Sequence, residues 1–491
     1  MRRVGLALCL ASLLLTIPPA TSATAAAAAT AAAATAAAAA AQPDFKQARA
    51  ETEKILADLV RIDTSNPPGN ESKAAEQLKA LLAKEGIASQ IFESAPGRGT
   101  LVARLKGNGT KRPLLVMGHL DVVGVERDKW SVDPFAALIK EGYLYGRGSS
   151  DDKGMDAANI EVFLLLHRLK VPLDRDIILM AEAGEEGTSQ YGVDFMVDKH
   201  WDAIECEYAL NEGGEAEVVG DRLLYMGVST TEKVPRGLKL VARGSSGHGS
   251  MPRLDNPVVH LAAAVGKVGA WLPPMRLNDT TKAYFARLAS ISAPDEAALY
   301  THLDDPKVQQ TLRESHIRQS SMLRTSISPT IIRGGFRENV IPAEAEATLD
   351  VRALPDENME ALVAELARLI DDPLVRIEPL LGGQARPSTP PSRLDTLAFQ
   401  ALEAAQKRVF PQSITIPIMQ TGATDSAQLR AKGVQAYGLS IPGTEEDGRR
   451  VHGNDERLSL DALGQFVEFL YRAVIGIAAT APASSSAAPA T

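Results

Sequence analysis

Two hydrophobic periodicities alternate along the chain. "AETEKILADLVRI" and "SKAAEQLKALLAKEG" carry apolar residues at helical spacing, and Gly86 is placed to end the second helix. "RPLLVMGHLDVV" (112–123) is a continuous apolar run that ends in polar residues, as a buried strand does. A helical stretch, "MDAANIEVFLLLHRLK", comes next, then a second apolar strand in "RDIILMAEAGEE". A short helix in "YGVDFMVDKHW" and a strand tip in "YALNEGG" complete the series. Apolar strands separated by helices predict an α/β sheet covered on both faces.

After Val234 the pattern changes. "RGLKLVARG" alternates, "NPVVHLAAAVGKVGAWL" is helical, and "TSISPTIIRGG" and "AEATLDVRALP" read as strands. This predicts a small α+β domain inserted into the first one. "ENMEALVAELARLIDD" and "LVRIEPLL" follow, and beyond roughly Pro387 the α/β character returns with helix "LDTLAFQALEAAQKRVF", strand "VQAYGLSI" and final helix "SLDALGQFVEFLYRAVIGIA". The expected organisation is a catalytic domain in two parts, residues 44–233 and 357–478, around an inserted domain at 234–356.

The ends of the chain have a different composition. "MRRVGLALCLASLLLTIPPATSA" (1–23) has two arginines, a short apolar stretch and a run of small residues, the layout of a secretory signal peptide. The expected location is the periplasm or the exterior, with no stable membrane insertion once the signal is cleaved. Residues 24–43 are dominated by Ala and Thr, and 479–491 by Ala, Pro and Ser, so a linker and an unpacked tail are expected there. Past the signal only Cys206 remains, which leaves no internal disulfide and puts stability on the core. A net charge of −9 argues against a nucleic-acid binder. Length also matters: 491 residues exceed what one core usually organises.

In open α/β sheets, ligands gather beyond the carboxyl ends of the strands. Sorted by that rule, five stretches converge: His119 and Asp121 in "GHLDVV", Asp151 and Asp152 in "GRGSSDDKG", Glu185 and Glu186 in "AGEEG", Glu212 in "ALNEGG", and His452 in "RVHGNDE". Two imidazoles and several carboxylates on loop tips suit a borderline metal such as zinc, and a carboxylate can bridge two ions. Singly each stretch has an ordinary structural explanation; their combination does not. His167, His200, His260, His302 and His316 are read as structural.

The ordered series "GHLDVV", "WSVDPFAALIKEGYLYGRGSSDDKG", "AGEEG", "ALNEGG", "GHGSMP" and "NVIPAEAEATLDVRALP" resembles the M20 family of metallopeptidases and aminoacylases, over roughly residues 45–476. The stretch Trp130 to Gly154 is most similar to the branch containing carboxypeptidase S and the N-acyl-amino-acid hydrolases. The resemblance implies a zinc-exopeptidase-like catalytic domain with a mixed sheet, plus a lid through which two subunits dimerise. It implies two zinc ions per subunit: Asp151 bridges, His119 and Glu212 complete one ion, and Glu186 and His452 the other. Mn2+ or Co2+ would suit the same ligands. Asp121 would orient the His119 imidazole, and the Asp151–Asp152 peptide would be cis, as in relatives.

Adjacent side chains leave a strand end in different directions, so neighbouring acids can do different work. On the family pattern Glu186 binds metal while Glu185 stays free as general base. His248 of the lid would reach the partner subunit's site and steady an oxyanion, a role worth roughly 3 kcal/mol for one donor. Asn339 would hold substrate; Arg352 would either clamp a substrate carboxylate or sit in a surface salt bridge. Gly422 and Thr424 in "QTGATDS" would line the pocket. Asn211 stands where relatives often have Asp, and the insert is enlarged by residues 286–324. The implied activity is hydrolysis of an amide bond in dipeptides, short peptides or N-acyl amino acids. A catalytically silent metal-binding scaffold on the same fold is the competing reading, and every acid–base position being filled weighs against it.

Overall fold

Alternate residues of the central strands serve two different cores. Leu114, Val116, Ile177, Leu179 and Leu210 face one cluster, while Leu115, Met117, Ile178, Met180 and Ala209 face the other. A strand apolar on both sides has to be covered on both, and that is why these runs show no alternation in sequence. In the computed structural model, which describes residues 43–220, 222–380 and 386–480, they form the middle of a nine-stranded sheet. The expected signal peptide, with nearly all of the expected linker and tail, lies outside the described residues.

Gln435–Leu439, Tyr208–Glu212, Leu114–His119 and Ile177–Glu182 are neighbours and run parallel, so their carboxyl ends share one edge. Arg98–Leu105 and Ser89–Ala95 extend the sheet antiparallel on one side. On the other side come Arg222–Glu232, Glu215–Val219 and Ile414–Gln420. Helices Phe45–Val60, Lys153–Arg168, Leu397–Val409 and Leu460–Ala478 fill the first core. The first of these is capped by Asp44, whose carboxylate accepts from Lys46 N and Gln47 N. Lys153–Arg168 is buried almost all round, as a helix pressed between a sheet and other helices must be. Each fully buried Leu, Ile or Phe here contributes about 1.5–3 kcal/mol of transfer free energy.

The second sheet has five strands, and Glu344–Ala353 lies within it. Its side chains alternate buried and exposed along the whole strand, as a sheet covered on one face requires. Helices Pro257–Ala270 and Met359–Ile370 supply that cover. Residues 357–379 belong to this sheet and not to the returning catalytic part, because Val375–Pro379 pairs antiparallel with Leu238–Arg243. The strand pairing thus agrees with a return of the α/β character beyond roughly Pro387 and not with one at residue 357. Part of the enlarged insert does the reverse. Tyr284, Phe285 and Leu288 of helix Asp279–Ile291 share a core with Tyr225, Ile416 and Ile418, strands of the large sheet. Among the described residues no helix is long and apolar enough to cross a membrane.

Candidate active site

The parallel strands deliver their polar tips to one edge. His119 and Glu212 are the last residues of their strands, and Glu185 and Glu186 follow Glu182 by a few residues. Asp151 comes just before helix Lys153–Arg168, and its peptide bond to Asp152 is cis. His452, with φ of 59°, lies on the loop leading into Arg457–Ser459.

The geometry sorts these residues into two overlapping groups. One oxygen and nitrogen set comes from His119, Asp151 and Glu212, the other from Asp151, Glu186 and His452, and within each set the donor atoms lie within 4.8 Å of one another. Asp151 is the shared member. Its Oδ1 is 3.0 Å from His119 Nε2, and its Oδ2 is 3.1 Å from His452 Nε2. His452 Nε2 is also 3.0 Å from Glu186 Oε1. Glu185 belongs to neither set.

Three carboxylates and two imidazoles suit a pair of divalent ions in charge and in donor type. The electrostatics of the side chains agree. Burial, with Asp151 next to it, pushes the Glu212 carboxyl up to about 8. Hydrogen bonds to Asp151 and Glu186 lift the His452 imidazole to about 10. Carboxylates buried this close to one another favour a cation between them. The residues fit two ions.

Asp121 differs from the expected arrangement. His119 Nδ1 donates to the backbone oxygen of Asp121 at 2.9 Å, while the Asp121 carboxylate stands 3.6 Å away. The carboxylate faces the acid pair: Oδ1 accepts Glu185 N at 3.0 Å, and Oδ2 accepts Glu186 N at 3.1 Å and Asn66 Nδ2 at 2.8 Å. A single buried side chain thus fixes the backbone of both acids. Glu185 is itself enclosed. Burial raises its carboxyl well above the usual range, Asp425 and Glu212 add to the effect, and His119 and Arg386 oppose it.

Several contributors have no signature in the sequence. Glu456 is fully buried and accepts from Gly148 N, Ser150 N and Asp151 N at 2.8–3.1 Å, tying the His452 loop to the Asp151 loop. Arg147 supplies its counter-charge. Arg386 pairs with Glu185 at 3.0 Å and with Asp425. Asp425 follows the strand Ile414–Gln420, whose run "ITIPIMQ" is interrupted by Pro417.

The remaining expected site residues are spread out. His248 is exposed in a two-stranded pairing of Gly247–His248 with Val340–Ile341, with Nδ1 taking Ser250 N at 3.1 Å. Asn339 adjoins it through Gly249 N, which donates to Asn339 O. Arg352 Nε donates to Asp350 at 2.9 Å. Gly422 is open, whereas the Thr424 hydroxyl donates to Glu232 at 2.9 Å. Beside Asp151 and Glu212 opens a cleft of about 150 Å³ whose lining mixes polar residues, Ser150, Gln420 and Ser440 among them, with Met155, Leu439, Ile441 and Val451.

The chain matches the family model for peptidase family M20/M25/M40 over residues 115–475. It is 26% identical to the human N-fatty-acyl-amino acid synthase/hydrolase PM20D1, covering 74% of each chain. It is 28% identical to the probable carboxypeptidase S-like 2 of Dictyostelium discoideum, covering 76% of this chain and 74% of that one. In fold it resembles the M20 family metallo-carboxypeptidase Sso-CP2 from Sulfolobus solfataricus, with a TM-score of 0.63 and 18% identity over 87% of this chain and 99% of the other. With the family model spanning most of the chain and two groups of side chains that could hold a metal ion at the sheet's edge, the protein belongs to peptidase family M20/M25/M40 and is an amide-bond hydrolase.

Proposed function

We propose that the chain is an exported hydrolase that uses two zinc ions and the carboxylate of Glu185 to cleave amide bonds of short peptides or N-acyl amino acids. The observation that carries this reading is the division of the acid pair. Glu186 stands in a ligand set with Asp151 and His452, while Glu185, one residue away, is outside both sets.

His119, Asp151 and Glu212 would hold one ion, and Asp151, Glu186 and His452 the other. Bound ions would polarise the substrate carbonyl and make water more acidic, from a pKa of 15.7 towards about 7. The chain's own part is proton transfer and orientation. Glu185 takes a proton from the attacking water as its oxygen adds to the amide carbon. The C–N bond then breaks with its electron pair on nitrogen, and Glu185 returns the proton to the leaving amine. Asp121 keeps the base in place by holding its backbone N–H. Burial around Glu185 keeps bulk water from competing for the proton.

An N-acyl amino acid is the second reading within the same mechanism, supported by the likeness to the human N-fatty-acyl-amino acid synthase/hydrolase PM20D1. Dimer formation is supported by the edge strand Ser326–Gly334, which exposes Ile331 and Ile332, and by Val259 exposed on Pro257–Ala270. His248, exposed in one subunit, would then serve the partner's site. The export reading rests on the N-terminal pattern of residues 1–23.

The test is product release from a panel of dipeptides and N-acyl amino acids, followed by mass spectrometry with zinc and after chelation. Chelator-sensitive cleavage supports the hydrolase, and the members cleaved choose between peptidase and deacylase. Absence of cleavage by protein carrying two zinc ions would contradict both.

A further inference from the structure

Arg386 lies just past the second sheet's last strand, on the segment that returns the chain to the large sheet. Its guanidinium is 2% exposed. Nη2 donates to Glu185 Oε1 at 3.0 Å. Nη1 donates to Asp425 and, at 3.2 Å, to Gln428 Oε1. The backbone oxygen of Arg386 accepts from Arg236 Nη1 at 2.9 Å, and Arg236 N donates to Val351 O in the second sheet. The segment that leaves Arg222–Glu232 and the segment that carries Arg386 therefore meet at this residue.

We infer that Arg386 is a positioning residue: it fixes the Glu185 carboxylate against the buried Asp425, and so ties the base to the loop that follows Ile414–Gln420 and to the junction between the sheets. This rests on Glu185 being the base. A glutamate side chain left to itself samples several rotamers, and burial alone does not choose among them. A charge-assisted hydrogen bond from a buried guanidinium is about twice as strong as a neutral one and has a direction. The fork also explains the residue type. Arg386 reaches Glu185 with one nitrogen and Asp425 with the other, and lysine has no second nitrogen for that geometry.

The same framework holds Asp425 from its far side. Thr424, its neighbour, gives its N–H and hydroxyl to Glu232 at 3.0 and 2.9 Å. Glu232 ends the strand Arg222–Glu232 and also accepts from Arg430 at 3.1 Å. Asp425 is thus a fixed anchor, and Arg386 transmits its position to the base. Glu185 has its backbone set by Asp121 and its carboxylate set by Arg386.

The experiment uses the mature chain loaded with zinc and compares Arg386→Ala, Arg386→Lys and Glu185→Ala for zinc content, kcat and KM. Misplacing a reacting group by about 1 Å costs on the order of 100-fold in rate. Arg386→Ala is therefore expected to keep both zinc ions and a KM near wild type while kcat falls about 100-fold. Added guanidinium should restore part of the loss, and Arg386→Lys should lie between the two. In the Glu185→Ala background, removing Arg386 should change nothing more. A wild-type kcat in Arg386→Ala, or a defect confined to KM or to zinc content, overturns the proposal. If Arg386→Ala does not fold by circular dichroism, Arg386→Lys and Arg386→Gln carry the same comparison, and a wild-type kcat in both overturns it. Turnover surviving in Glu185→Ala would instead remove the base assignment itself. An inactive Glu185→Ala beside normal Arg386 variants would remove only the positioning role.

Discussion

Asp121 grips Glu185 by its backbone: the Asp121 Oδ1 accepts the Glu185 N–H at 3.0 Å, while the other carboxylate oxygen takes Glu186 N at 3.1 Å. Its contact with His119 is made by the main-chain oxygen, which no side-chain substitution removes. Asp121→Asn replaces one acceptor oxygen with an NH2 group that cannot receive either N–H. Partners of this kind cost 10–100-fold in metal affinity or activity when changed, so kcat should fall by about that factor. Affinity at the Glu186 ion should weaken before affinity at the His119 ion. Zinc titration against a competing chelator, with turnover in parallel, checks both. Selective loss at the His119 set would mean that the carboxylate serves His119 after all.

His452 contributes to one ligand set only, with Asp151 and Glu186. His452→Ala should lower bound zinc from two ions per subunit to one. The set of His119, Asp151 and Glu212 should keep its ion. Elemental analysis after dialysis against a weak chelator measures this. Retention of both ions would exclude His452 as a ligand.

Lys233 provides a pH test away from the site. It has no exposed surface, donates to Ser321 Oγ and Ser326 Oγ at 3.1 and 3.0 Å, and joins the large sheet, the insert and the second sheet. Burial first, then Arg324 and Arg352, brings its ammonium down from 10.5 to about 7. The folded-state pKa is the lower one, so between about pH 7 and 10.5 the unfolded chain binds more protons. Stability contributed by this residue should therefore rise with pH across that window, by a total on the order of 5 kcal/mol. Urea unfolding of the wild type and Lys233→Met from pH 6 to 9 isolates it, because other titrations cancel in the difference. A difference that does not change with pH would show that Lys233 does not titrate in that range.

The fold was legible where periodicity was uninterrupted. The runs around Leu114–His119, Ile177–Glu182 and Tyr208–Glu212 are apolar on both faces, and their polar tips lead into the candidate ligands, so strand and site are visible together. Ile414–Gln420 was harder to see, because Pro417 interrupts its apolar pattern although the strand lies beside Arg222–Glu232. Asp425 went unnoticed with it. Arg386 and Glu456 act through contacts 201 and 305 or more residues distant in sequence, and no local pattern encodes such a partner. The second sheet's last strand, Val375–Pro379, is placed in the inserted part by its pairing with Leu238–Arg243. The Asp121 carboxylate could not be assigned to Glu185 or to His119 from a two-residue spacing.

The central claim is that adjacent acids divide the work, Glu186 holding metal and Glu185 moving the proton. The direct measurement is zinc content and turnover of Glu185→Ala on a substrate that the wild type cleaves. Two bound zinc ions with nearly all turnover lost is the expected result. Turnover at the wild-type rate, or loss of an ion together with the activity, would contradict it.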